Sequence, residues 1–168
     1  MKRIATAILS LAALLCSGSV AGAHDTEPCI LLALVHVHVP SVDEASARVL
    51  FADVNASRAH AGLPQLTYDA QLAQIALDVA RDMATRHYFG HTDPNGVTFE
   101  ERLRTSGYHY RFAAENMAFD QDEQHANQAF LHSPGHYRNI MDPLPHKLGV
   151  AVVSAGDGQT FFVEEFAN

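Results

Sequence analysis

His136 follows Ser133-Pro134-Gly135 in the stretch HSPGHYRN, residues 132–139. Those three residues suit the opening of a helix. Serine is a favoured N-cap, and proline fits the first helical position, where its missing N–H is not needed. A histidine in the first turn lies near the positive end of the helix dipole. That end disfavours imidazolium and favours the neutral ring, the form that binds metals and accepts protons. Taken locally, the simpler reading is an ordinary helix start that carries a histidine. His132 stands four residues before His136, a metal-pair spacing on a continuous helix, but Pro134-Gly135 interrupts the helix between them. His132 is therefore expected at the surface. His36 and His38, in CILLALVHVHVP, would share one face of a strand, where such a pair can bind metal; the favoured reading is a tail.

The chain has 168 residues and eleven histidines, a count compatible with metal binding or pH sensing that selects neither. Its start reads as a cleavable signal peptide over residues 1–23. Lys2 and Arg3 form a basic head, Ile4 to Leu15 an apolar run, and Ala21-Gly22-Ala23 a small-residue cleavage site. The run is too short to span a bilayer. A lipoprotein site at Cys16 is disfavoured by the bulky Leu15 before it. Removing the leader leaves one domain's worth of chain. It also takes Lys2 and Arg3 with it, leaving 9 basic against 19 acidic residues, a net charge of −10. Such an acidic domain is a poor partner for nucleic acid or anionic membranes. Only Cys29 remains after cleavage, so no internal disulfide supports the fold.

The elements that would position the histidines follow from pattern. Residues 24–40 form the N-terminal tail. Ser41 and Glu44 read as a capping box for a first helix with Val42, Ala45, Val49, Leu50 and Val54 at helical spacing, closed by Gly62. A second helix starts near Thr67 or Asp69, with Leu72, Ile75, Ala76, Val79, Ala80 and Met83 on one face. Asp93-Pro94-Asn95-Gly96 is a turn. Thr98 with Glu101 caps a short helix that ends by Gly107. Residues 108–118 are extended, and 121–132 form a helix before the Ser133-Pro134 restart. KLGVAVVSAGDGQTFFVEEFA, 147–167, reads as a β-hairpin. Helices first and strands late indicate an α+β fold with an antiparallel sheet.

From about Arg48 to Ala167 these pieces, in this order, resemble the bacterial branch of the CAP superfamily (cysteine-rich secretory proteins, antigen five and pathogenesis-related one). They are Asn55, Arg58, Gly62-Leu63 and Leu66, then FGHTDPNG at 89–96 with Arg102 and Gly107-Tyr108. AENMA at 114–118, SPGHYRNIM at 133–141 and LGVAVV at 148–153 complete the set. The resemblance implies a CAP (SCP) domain over 41–168, folded as a three-layer α-β-α sandwich with a central antiparallel sheet. It further implies a cleft lined by two histidines and acidic residues, which fall on His91, Glu115 and His136. Many eukaryotic members carry a second glutamate three residues after a tryptophan. Here Phe130 holds the tryptophan position and Ser133 the acid position.

His91, His136 and Glu115 would make a zinc set of three protein ligands with one open position, although their wide spacing differs from a local H-E-x-x-H. A hydrogen-bonded cluster, with Glu115 accepting from His136, is the alternative without an ion. A Ser133–His136–Glu115 nucleophile triad is disfavoured, because Ser133 has no G-x-S-x-G elbow and a capping hydroxyl is occupied by backbone. Asn55 and Asn116 are expected to be structural. The resulting expectation is an exported binding scaffold, periplasmic or extracellular, without established catalysis. Its cleft of His91, Glu115, His136 and Ser133 would hold a divalent metal such as zinc, a small molecule or a lipid. No nucleic acid and no membrane span are expected, and an extracellular protein partner is compatible. The competing classes are a metal-assisted or general-base hydrolase with Glu115 as base, and a purely structural or host-interaction protein.

Overall fold

The computed structural model describes residues 39–156 and 158–168. The predicted leader, Cys29, His36 and His38 lie outside the described residues.

The first helix, α1 (Glu44–His60), is preceded by a two-residue strand, β1 (Ser41–Val42). Its cap is Asp43, whose side chain accepts from the N–H groups of Ala45 and Ser46. The expected Ser41 start is thus two residues too early. Ser41 and Val42 are used by the sheet, and a carboxylate caps as well as a hydroxyl. β2 (Thr67–Tyr68) leads into α2 (Ala70–Arg86), capped by Asp69, and all six apolar positions read from its sequence are buried. Next come α3 (Phe99–Thr105), capped by Thr98, and β3 (Ala113–Asp120). The chain continues through α4 (Glu123–His132), α5 (Pro134–Met141), β4 (Lys147–Ser154) and β5 (Thr160–Ala167).

The sheet order is β1-β4-β5-β3, with β2 added on β4. The long strands are antiparallel, as expected; β2 alone runs parallel to β4, over two residues. Helices cover both faces. On one side Leu50 and Val54 of α1, Ala126 and Phe130 of α4 and Ile140 of α5 pack on Leu148, Val150, Val152, Phe162 and Phe166. On the other side Ala76, Val79, Ala80 and Met83 of α2 pack on Met117, Ala151, Val153, Phe161 and Val163. The α+β architecture is therefore as read from the sequence pattern, and its three α-β-α layers are as the resemblance implies. Gly149 sets how closely α2 approaches. A Cβ there would lie 2.2 Å from the backbone nitrogen of Ala73 and 2.3 Å from the carbonyl carbon of Leu72.

Two buried polar side chains tie loops to this frame. Asn55 exchanges hydrogen bonds with the backbone of Leu66, its Nδ2 donating to the carbonyl at 3.1 Å and its Oδ1 accepting from the N–H at 2.7 Å. Arg58, 1% exposed, donates to the carbonyls of Pro64, Ile140 and Asp142, and so fixes the end of α5. No helix among the described residues is long and apolar enough to cross a membrane.

Candidate functional site

His91 sits in the loop between α2 and α3, and that loop is held at several points. Asp93 accepts from the N–H groups of Asn95 and Val97 at 2.8 Å each, closing the Asp-Pro-Asn-Gly turn, with Gly96 at φ +88°. Arg86 at the end of α2 donates to Asp93 at 2.9 Å and to Asp82 at 3.1 Å, and the Tyr88 hydroxyl donates to Asp82 at 2.8 Å. The turn residues that merely signalled a loop in the sequence thus carry a rigid support for His91.

The His91 ring is fixed from below. Its Nδ1 lies 2.7 Å from Oε1 of Glu115, while its side chain is 55% exposed and that of Glu115 only 1%. Arg102 of α3 completes the clamp, with Nη2 donating to Glu115 Oε2 at 2.6 Å and Nη1 to the His91 carbonyl at 3.0 Å. The hydrogen bond to Glu115 holds the His91 pKa above its ordinary value, against the effect of partial burial. A donated Nδ1–H fixes the tautomer and leaves Nε2 as the acceptor atom.

His136 lies in the first turn of α5, as expected from Ser133-Pro134. The Ser133 hydroxyl, however, caps no backbone N–H; the turn is closed by the Ser133 carbonyl, which accepts from Tyr137 N–H at 2.8 Å. The His136 ring meets the edge of Phe130 at a centroid distance of 5.2 Å, and its Nδ1 is buried without a hydrogen-bond partner. Burial, and next the nearby His91, push its pKa below the usual value and keep it neutral. Glu115 therefore accepts from His91 and Arg102, not from His136, and a Ser133–His136–Glu115 triad is not assembled. His136 is instead held through its backbone. Asn116 Nδ2 donates to the His136 carbonyl at 3.2 Å and to Glu164 Oε2 at 2.9 Å, and Asn139 donates to Asn116 Oδ1 at 2.9 Å. His132 is exposed and bonds only to its own helix, at the Gln128 carbonyl.

Two groups escaped the sequence reading. Glu164 and Glu165 are consecutive on β5 and both 0% exposed. Burial raises the Glu164 pKa to about 8, and burial beside Glu115 raises that of Glu165 well above the carboxylate range. Their signal was present in FFVEEFA: two adjacent acids in a strand point to opposite faces, so one of them faces each helical layer.

Among the described residues, no three His, Cys, Asp or Glu side chains are grouped to hold one metal ion. Both Glu115 oxygens are already in use, and a guanidinium touches one of them. Glu115 orients the His91 ring and, with both oxygens engaged, is not free to serve as a third ligand beside the two imidazoles.

Residues 51–166 match the family described as CAP, the cysteine-rich secretory protein family. The uncharacterized protein YkwD of Bacillus subtilis is 30% identical over 118 residues, 70% of this chain and 46% of that protein. An uncharacterized membrane protein of the same organism, YlbC, is 29% identical over 99 residues, 58% of this chain and 29% of the relative. This chain thus matches less than half the length of either curated relative. An extracellular protein containing a SCP domain from Bacillus anthracis superposes with a TM-score of 0.66 at 30% identity, covering 73% of this chain and 40% of that one. An outer surface protein of Borrelia burgdorferi superposes with a TM-score of 0.71 over 76% of this chain and 97% of its own; at 20% identity this likeness concerns the fold.

Proposed function

The chain belongs to the CAP, cysteine-rich secretory protein, family, and from that premise we propose that it is an exported binding module whose cleft offers two imidazoles, His91 and His136, to a ligand. The observation that carries this reading is the 2.7 Å contact between His91 Nδ1 and a Glu115 carboxylate that Arg102 fixes in turn. A buried carboxylate behind an exposed imidazole orders the ring and raises the basicity of its free nitrogen. The half-buried His136, kept neutral by burial, adds a second imidazole. Such a pair suits a divalent metal or a small molecule with hydrogen-bond donors. A bound ion would supply an open coordination position for a further ligand; His91 and His136 would hold it, and Glu115 with Arg102 would orient His91.

Export is supported by the leader-like start of the sequence and by the similarity to an extracellular SCP-domain protein. The hydrolase reading with Glu115 as base finds less support, since that carboxylate is enclosed and both oxygens are bonded. If a base acts here, His91 Nε2 is the accessible one.

Zinc serves as the probe. Calorimetric titration of the purified protein near pH 7 is expected to give one ion per chain. His91→Ala and His136→Ala should each remove most of the affinity, and His132→Ala should keep it. Unchanged binding in both cleft variants would refute the reading.

A further inference from the structure

Glu115 and Asn116 are neighbours on β3, and each holds one of the two cleft histidines. Successive side chains of a strand alternate between faces. Glu115 shares its face with Met117, which packs under α2, and Asn116 shares the other with Ala118, which packs beneath α1, α4 and α5. The Glu115 carboxylate meets the His91 ring at 2.7 Å, and the Asn116 amide donates to the His136 carbonyl at 3.2 Å. β3 lies at the end of the strand order, so the two helical layers can meet around it. The spacing of the two imidazoles thus passes through one pair of adjacent residues.

α5 has little of its own to fix where His136 stands. It is eight residues long, Ile140 is the residue it buries, and Ser133 gives it no side-chain cap. Arg58 holds its far end, at the carbonyls of Ile140 and Asp142. The first turn is held by Asn116. His136 and Asn139 are three positions apart and so lie on one face of the helix. Asn116 spends both ends of its amide on that face. Its Nδ2 donates to the His136 carbonyl, and its Oδ1 accepts from Asn139 Nδ2 at 2.9 Å. The carbonyl can only accept, which settles how the Asn116 amide is turned. Glu164 Oε2 takes a further bond from Nδ2 at 2.9 Å, and Asn139 Nδ2 also reaches the main-chain carbonyl of Glu115 at 3.4 Å. Two amides therefore tie the first turn of α5 to both residues of the pair.

We infer that Asn116 and Asn139 are positioning residues of the cleft, whose paired amides set the place of the His136 ring relative to Glu115 and so relative to His91. Asn116 touches no ligand itself, being 0% exposed. An enclosed amide with its oxygen and its nitrogen both bonded holds one orientation. An apolar side chain of the same shape would fill the space and leave α5 free to slide along the sheet. Asn116, expected to be structural, thus acts on the geometry of the site. The consequence for a ligand, a fixed spacing of two imidazoles, rests on the two-imidazole reading; the placement of His136 does not.

The test uses the purified protein and three variants. Asn139→Ala removes the donor from a half-buried helical position, and Asn116→Leu keeps the branched shape without the bonds. Val79→Ala, in the core under α2, is the control for lost stability alone. The His136 ring lies against the edge of Phe130, so its proton NMR signals in the metal-free protein report where the ring stands. Asn139→Ala and Asn116→Leu are expected to shift the His136 signals and to leave those of His91 in place. Val79→Ala should shift neither. Unshifted His136 signals in Asn139→Ala overturn the inference, whether or not Asn116→Leu folds. With zinc as the probe, the affinity of Asn139→Ala should fall to that of His136→Ala, and combining the two substitutions should weaken binding no further. Wild-type zinc affinity in Asn139→Ala, beside a loss in His136→Ala, also overturns it. If zinc binding survives both His91→Ala and His136→Ala, the two-imidazole reading fails, and the metal-free ring signals still decide the role of Asn116 and Asn139.

Discussion

Arg102 and Glu115 form a buried ion pair, with Nη2 of one donating to Oε2 of the other at 2.6 Å and their side chains 14% and 1% exposed. The same arginine bonds the carbonyl of His91, so one side chain joins α3, β3 and the histidine loop. Arg102→Met should therefore destabilise by roughly 3–5 kcal/mol, because it leaves the buried Glu115 carboxylate without its cation. Chemical denaturation at pH 7 measures this. A loss under about 1 kcal/mol would mean that the pair is solvent-screened and not a structural clamp.

Glu164 gives a prediction of opposite sign. Burial holds its folded-state pKa up at about 8, against an ordinary value of 4.5. The neutral form is the one the fold accepts. Stability is therefore full below about pH 4.5 and declines as pH rises towards 8, where the acid ionises. Glu164→Gln preserves an acceptor for Asn116 and cannot ionise. It should match wild type at pH 4.5 and exceed it by about 3 kcal/mol at pH 7. Melting curves across pH check this, and equal stability of the two proteins at pH 7 would contradict it.

His136 acts at the acid end. Its folded pKa is depressed by burial and by His91, so its contribution is present above about pH 6.5 and is lost as pH falls through the lowered value. His136→Asn should flatten the loss of stability between about pH 6.5 and 5, relative to wild type. His91, whose folded pKa is raised, works the other way and is lost as pH rises through that value. A His91→Asn variant should therefore leave the acid limb in place. Melting temperatures of the two variants over this range separate the contributions.

The frame was legible because its signals are local. The apolar stripe of α2, from Leu72 to Met83, and the hairpin signal around Gly156 and Gly158 depend on near neighbours only. So does the helix start at Pro134. The start of α1 was misread by two residues because Ser41 and Val42 pair with Ser154 and Val153, more than a hundred residues away. The site was legible only through the family resemblance, which selected His91, Glu115 and His136. The chemistry among them was not legible. Nothing in spacing says that Glu115 serves His91 instead of His136, since strand register and the Arg102 contact decide it. Glu164 and Glu165 carry no local sign of burial, since only the helices on both faces of β5 enclose them.

Gly149 tests the packing of α2. A methyl group at this position would lie 2.2–2.5 Å from Leu72 and Ala73, two of three contacts being to backbone atoms that cannot yield cheaply. Gly149→Ala should cost about 3 kcal/mol or more, lowering the melting temperature by roughly 10 °C. A wild-type melting curve would show that α2 sits further from β4 than described.

His91 and His136 are proposed to act on one ligand together. The most direct measurement is a zinc titration of the purified protein followed by histidine-ring NMR, with all eleven histidines resolved by single substitutions. The rings of His91 and His136 should change together, with one midpoint at one ion per chain, while His132 and His125 stay unperturbed. If zinc instead shifts His36 and His38 and leaves His91 and His136 unchanged, the metal belongs to the tail and the cleft is a hydrogen-bonded support for its loops.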